Sequence, residues 1–511
     1  MSASSADGSA APESNTGGVP LVLDQDRMPL AHKLTIGALL VATFVMILNE
    51  TIMNVALRPL MEEFEIPETT VQWLTTAFML TLAVVIPTTG YIIQRFSLRG
   101  VFTTAMLLFL SGTAMAAAAP GFEVLLGGRV VQAAGTAIML PLLMTTVLTL
   151  VPVRRRGVVM GNVGIVISVA PATGPALSGL ILHLADWRWL FLVILPIAAL
   201  ALLLGRPRLA AQSGAAEKGL SVGSLLLAVP GFGGVVYGIS QIGGGHGTEQ
   251  VDVDADSGPG VDPTAAAVLG VGAVCLVAFA LLQLRLQRTD SALLNLKPFT
   301  YPMYTRSLLM MLLMMVALFG ALILLPMFLQ AVRGLDTLST GLLMLPGGLL
   351  MALMAPVVGR IYDRIGPKPF VIPGSAILIL ALFAMSLLGP QTPIGYVLVL
   401  HLVLSCGLAL LFTPAFATAM NPLPQPLYSH GSAVLNTLQQ LAAAIGTAAL
   451  VAVVGLGAAA AAAQGASGEE ATLEGFRTAF RVASGLSIGT LLLGMTLRAT
   501  PAEPAETARE A

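Results

Sequence analysis

Glu50 is the single acidic side chain embedded in a long apolar run of this chain. An ionised, unpaired carboxylate in hydrocarbon is costly, so a carboxyl kept there points to the binding and release of a proton or cation. Its surroundings read Leu48-Asn49-Glu50-Thr51-Ile52-Met53-Asn54, and Glu50 and Asn54, four residues apart, share a helix face. The plainer alternative is a structural carboxyl, hydrogen-bonded near the outer end of its helix. One cation is embedded as well, Arg129, within Gly128-Arg129-Val130-Val131-Gln132-Ala133-Ala134-Gly135-Thr136. Arg129, Gln132 and Thr136 fall on one helical face. A buried guanidinium keeps its charge and needs a carboxylate or carbonyl partner. Two arrangements are open: Arg129 close enough to Glu50 to influence its proton, or Arg129 bonded to backbone carbonyls of the first span.

The elements that must position these groups are membrane helices. Of the 511 residues, 56% are hydrophobic and 10% charged, against about 25% charged in globular domains. Fourteen apolar runs long enough to span a bilayer fall at 34–57, 70–93, 100–119, 124–150, 158–184, 187–205, 219–242, 264–284, 305–332, 338–358, 370–389, 394–420, 431–463 and 478–497. The composition therefore predicts an all-α polytopic membrane protein. The first 30 residues are polar and carry no signal-peptide pattern. With both termini cytoplasmic, inner loops and tails hold 19 of the 25 Lys and Arg, outer loops hold five, and Arg129 is embedded. That is the positive-inside bias, and it fits an even number of spans.

Several other chemistries are not supported. Cys275 and Cys406 lie in apolar runs without metal-ligand spacing and read as packing residues. The acidic loop with Glu249, Asp252, Asp254, Asp256 and Asp262 lacks the glycine and terminal glutamate of a calcium loop and reads as solvated. No phosphate-binding Gly-x-x-x-x-Gly-Lys-Ser/Thr loop occurs, so an ATP-driven pump within this chain is not expected. No metal, cofactor, nucleic-acid partner or enzymatic activity is implied.

Two loops repeat a pattern: Gly90-Tyr91-Ile92-Ile93-Gln94-Arg95-Phe96-Ser97-Leu98-Arg99 after the second span, and Gly359-Arg360-Ile361-Tyr362-Asp363-Arg364-Ile365-Gly366-Pro367-Lys368 after the tenth. Each sets a glycine for close helix approach beside polar and basic groups at the mouth of a helix pair. This signature resembles that of the major facilitator superfamily. Eight spans separate the copies where a plain two-times-six arrangement would have six, so two spans lie inserted between the halves. The expected organisation is a tail over 1–30, a six-helix bundle over 31–208, the inserted pair over 209–290, a second six-helix bundle over 291–498 and a tail over 499–511.

The first span resembles that of the fourteen-span drug:proton antiporters, in which Leu-Asp-x-Thr-Ile-Val-Asn-Val-Ala-Leu-Pro is usual; here Asn49 holds the place of the Asp and the acid is Glu50. Arg129 through Gly135 is similar to the superfamily's Arg-x-x-Gln-Gly motif. Gly174-Pro175 followed by Gly179, with the small-residue ridge Ala170, Gly174 and Ser178, looks like the antiporter motif. Gln72-Trp73, Trp187-Arg188-Trp189, Leu325-Pro326 and Asn436 through Gln440 extend the likeness over nearly the whole chain.

The resemblance implies alternating access to a midplane cavity, in which Glu50 and Arg129 couple protons to the export of amphipathic drugs or antibiotics. A dedicated exporter of one metabolite, lipid or self-made antibiotic shares the same motifs, and a non-transporting membrane sensor is the rival of another class. Neutral cavity contacts are expected from Asn54, Gln132, Thr136, Gln330, Asn436 and Gln440, and a cytoplasmic gate from Gly90, Gln94, Arg95, Gly359, Asp363 and Arg364. Gln94 replaces the acid of its motif, so a charge-based gate is expected only at Asp363. The second half carries no embedded acid, which in this family favours neutral or singly charged substrates over divalent cations. Met310, Met311, Met314 and Met315 read as core or lipid contacts, and His401 as a packed residue. A monomer in the bilayer is expected.

Overall fold

The computed structural model describes residues 29–152, 155–209, 221–242, 263–289 and 291–498, and among these every regular element is helical. The terminal tails, the acidic loop, Arg154 and Lys218 lie outside the described residues.

The first half comprises α1 (Leu30–Phe64), a short α2 (Glu68–Val71), α3 (Trp73–Arg95), α4 (Leu98–Ala117), α5 (Phe122–Leu150), α6 (Arg156–Leu184), α7 (Trp189–Leu192) and α8 (Ile194–Gly205). Then come α9 (Val222–Ile242) and α10 (Pro263–Leu286), followed by α11 (Pro302–Ala331), α12 (Thr337–Ile365), α13 (Lys368–Met385), α14 (Ile394–Met420), α15 (Tyr428–Ala463) and α16 (Gly468–Thr496). Among the described residues, twelve helical stretches are long and apolar enough to cross a membrane, and two shorter apolar stretches, Arg156–Pro171 and Gly223–Ile239, lie within α6 and α9.

Local chemistry sets the boundaries. Ser97 opens α4 by accepting the Gly100 N–H, and Asp336 opens α12 by accepting that of Ser339. Gly366, at φ 78°, ends α12 in a backbone conformation that favours glycine. The last helix begins ten residues before its apolar run at 478, because Ser467 and Glu470 form a capping box that satisfies the first-turn N–H groups. Apolarity alone could not have shown this polar first turn.

Packing joins the halves along two seams. Helix α6 lies against α12, and α3 lies against α15, while α1 and α11 pack within their own halves. The pair α9 and α10 holds together through Phe232 and Phe279, whose ring centroids are 5.7 Å apart. Helix α9 touches both α3 and α15, with Tyr237 stacked on Trp73 at 5.8 Å. The pair thus flanks one seam. Met310, Met311, Met314 and Met315 are buried in the core, where their flexible thioethers fill the bundle around α11. Cys275 and Cys406 are free and partly buried.

Candidate functional site

Arg129 is buried on α5, and two close helix approaches put it there. Gly112 of α4 and Gly128 of α5 lie where an added Cβ would come within 2.9 Å of the facing backbone: 2.8 Å from Gln132 Cα for Gly112, and 2.9 Å from the Ala116 nitrogen for Gly128. Gly135 meets α4 in the same way, at the Phe109 nitrogen. With the backbones this close, Gln132 Nε2 donates to Thr113 Oγ1 at 2.7 Å. Its Oε1, fixed by that bond, accepts from Arg129 Nη1 at 2.6 Å. The glycines and glutamine of the motif therefore act as a cradle for the guanidinium.

The same Nη1 donates to Asn49 Oδ1 of α1 at 3.2 Å, and the guanidinium carbon sits 4.1 Å from the centre of the Phe78 ring of α3. The partner on α1 is thus a side-chain amide, where the second arrangement open from the sequence has backbone carbonyls. Phe78 adds attraction of cation to ring face. Arg129 and Glu50 form no ion pair.

Glu50, one residue on, is half-buried and makes no hydrogen bond among the described residues. The step of one residue turns it about 100° around α1 from Asn49. Asn49 is spent on Arg129, and the carboxyl is left unengaged. Thr51 completes the turn: its Oγ1 donates back to Leu48 O at 3.0 Å and reaches Ala170 O of α6 at 3.4 Å. A Cβ on Gly174 would overlap Thr51 Oγ1. The small residues Ala170 and Gly174 thus seat α6 directly beneath the turn that carries Glu50.

The other expected residues divide. Thr136 is buried with its hydroxyl on Gln132 O. Gln132 is fully buried and both ends of its amide are used inside the first half. Asn436 is buried with its amide on Ser432 O at 2.8 Å, while Gln330 and Gln440 are half-buried. The side chains of Asn54 and Pro175 lie outside the described residues, and Gly179 has open space around it. His401 packs on α12 through Nε2 and Met344 O, 3.1 Å apart.

The repeated loops meet the opposite halves at one end of the molecule. Asp363 accepts the Gly157 and Val158 N–H groups at 2.8 and 3.1 Å, which places a carboxylate at the positive N-terminus of α6. A Cβ on Gly359 would overlap the Gly157 carbonyl oxygen, so the glycine permits this approach. Arg156 crosses the same way, with Nη2 donating to Tyr428 Oη at 3.0 Å and to Leu148 O at 2.7 Å.

Gln94 does for the other seam what Asp363 does for this one, with a different chemistry. Its Nε2 donates to Pro426 O at 2.8 Å and to Ser429 Oγ at 2.9 Å. His430 Nδ1 accepts the Asn295 N–H at 3.3 Å, which leaves Nε2 to donate to Gln94 Oε1 at 3.2 Å. A neutral bridge thus stands at this seam where the other has a charged cap. His430, Ser429, Tyr428 and Arg156 were not singled out from sequence; the only signal was a polar cluster, Tyr428-Ser429-His430, at the start of a long apolar run. Arg95 and Arg364 sit beside these contacts, half-buried and exposed respectively.

One consequence is directly measurable. In Gln94→Glu the side chain loses its donor to Pro426 O, at a cost of about 1 kcal/mol, so the closed form of this end should fall about fivefold. Distances between spin labels at Phe96 and Gln425, both exposed, would report it. An unchanged distance distribution would show that the bridge contributes nothing to closure.

Comparison with known proteins identifies the fold. A sequence model described as "Major Facilitator Superfamily" matches residues 39–447. The chain belongs to the major facilitator superfamily. It is similar to the lincomycin resistance protein LmrB of Bacillus subtilis, with 39% identity over 82% of this chain and 85% of that one. It is also 36% identical to the MFS-type transporter YcnB of the same organism, over 94% and 98%. A multidrug resistance protein B homolog of Mycobacterium tuberculosis is 29% identical over 83% and 76%. Among solved structures, human MFSD10 superposes with TM-score 0.64 at 15% identity, covering 91% of this chain and 99% of that one. The proton:xylose symporter XylE gives 0.60 at 14%, over 90% and 94%. At these identities the structures speak to the fold alone. As a member of this superfamily the protein is a membrane transporter of small molecules and not an enzyme.

Proposed function

We propose that this transporter is a proton-coupled antiporter that exports amphipathic drugs or antibiotics across the bacterial inner membrane. The observation that carries the reading is the division of labour between Asn49 and Glu50. Arg129 Nη1 donates to the amide oxygens of both Asn49 and Gln132, its buried Nε has no partner among the described residues, and the carboxyl of Glu50 makes no hydrogen bond, half-buried on the adjoining face of α1. A carboxyl held without a fixed partner is able to exchange a proton for substrate. Relatives named for lincomycin and multidrug resistance support export of drugs rather than of nutrients.

In this reading the two bundles rock about a midplane cavity. The end closed by Asp363 and by Gln94 faces the cytoplasm, in line with the basic bias of the loops there, and both termini lie on that side. The helices from α1 to α16 make fourteen spans, of which α9 and α10 are the inserted pair, and the protein works as a monomer.

The test is drug uptake into proteoliposomes holding the purified protein, with an imposed pH gradient and a panel of neutral, monocationic and dicationic compounds. Uptake that follows the gradient and vanishes with an uncoupler is expected for neutral or singly charged amphiphiles. Uptake indifferent to the gradient would remove proton coupling from the account.

A further inference from the structure

We propose that the groove between α4 and α8 binds an anionic phospholipid, whose phosphate is held by Arg99 and Arg206 and whose acyl chain lies along Leu107 and Leu203. The groove measures about 440 Å³ and is lined by Arg99, Thr103, Leu107, Leu202, Leu203 and Arg206 together with Pro207. Its two ends differ in chemistry. The arginines stand at the end shared with the gate loops, and the leucines run toward the middle of the helices, with Leu107 53% and Leu203 70% exposed. A phospholipid has the same two-part form, a charged head and a long apolar chain.

The arginines are prepared for an anion to different degrees. Arg99 Nε and Nη2 donate to Leu209 O at 3.0 and 2.8 Å, which fixes the plane of the guanidinium and leaves Nη1 without a protein acceptor. The Arg206 side chain is exposed and makes no hydrogen bond or ion pair among the described residues. Among the described residues no carboxylate lines the groove to compete for either. The helices themselves are held in place, since Gly205 of α8 takes the Phe102 ring of α4 at a spacing where a Cβ would stand 2.8 Å from it. Basic sites between membrane helices suit anionic headgroups, and the exposed leucines put the occupant in the bilayer rather than in water. The proposal requires only that the chain spans the membrane. It stands whether or not protons drive transport.

Native mass spectrometry of the full-length protein in detergent, titrated with phosphatidylglycerol, phosphatidylcholine or inorganic phosphate, tests it. One retained phosphatidylglycerol per chain is expected, with phosphatidylcholine held more weakly and millimolar phosphate failing to displace the lipid. Arg206→Gln should weaken retention about fivefold, from the attraction of one basic residue at a membrane surface. Arg206→Glu should weaken it further, and Arg99→Gln should act in the same direction. Arg288→Glu, at an exposed arginine just after α10, should leave retention unchanged. Equal losses in the Arg206 and Arg288 variants, or none in either, would overturn the site. Equal retention of phosphatidylcholine would do the same, and displacement by phosphate alone would assign the arginines to a free anion instead.

Discussion

Glu50→Gln abolishes proton-driven accumulation of drug while leaving the protein folded and able to bind. The substitution keeps the size of the side chain and removes its exchangeable charge. Because Glu50 makes no hydrogen bond in the described structure, no hydrogen bond is lost with its carboxylate. Arg129 keeps both of its amide partners, Asn49 and Gln132, in the variant. The expected loss is large for an energetic reason. One proton moving through about 180 mV supplies about 4 kcal/mol, which sustains at most a roughly thousandfold gradient of a neutral substrate. Without the coupling carboxyl that ratio should fall toward about one, the value set by passive equilibrium of a neutral compound. Concentrative uptake into inside-out vesicles, measured beside equilibrium binding and melting temperature, separates loss of coupling from loss of fold. Retained accumulation in the variant would move the coupling site elsewhere.

Gly359→Val should trap the transporter away from the closed arrangement seen here. The new side chain would meet the Gly157 carbonyl oxygen, which is backbone and cannot rotate aside. One turn further along the same face, Asp363 would be drawn off the Gly157 and Val158 N–H groups that it caps. Overpacking of this kind costs about 1–3 kcal/mol. Applied to one state of a two-state equilibrium, that is a shift of roughly 5–150-fold. Labels at Phe96 and Gln425 should therefore report a wider separation, and turnover should drop while the melting temperature changes little. Normal turnover with an unchanged separation would mean that the α6 and α12 seam opens by another route.

Much of this was readable in the residues because charge is expensive in hydrocarbon. Glu50 and Arg129 stood out for that reason, and the two loops stood out because their polar spacing repeats between apolar runs. The contact between Arg129 and Asn49 was not readable, because it depends on the rotation of α1 against α5, which one helix's periodicity does not fix. Gln132 illustrates the same gap. Its position on the Arg129 face suggested a cavity contact, yet the glycine crossings of α4 and α5 turn it inward onto Thr113. His430 was hidden for a further reason. Its role depends on Gln94 reaching across the seam and on the backbone of Asn295, partners remote from it in the chain. The first turns of α16 lie outside the apolar run at 478–497 because they are polar and opened by a capping box, which leaves no trace in an apolar pattern.

Proton release on drug binding, followed in a weakly buffered solution of the purified protein, tests the central claim most directly. The account predicts release by the wild type with at least one neutral or singly charged amphiphile, and its disappearance in Glu50→Gln. Release of equal size from Glu50→Gln would contradict the assignment of Glu50 as the group that trades its proton for substrate.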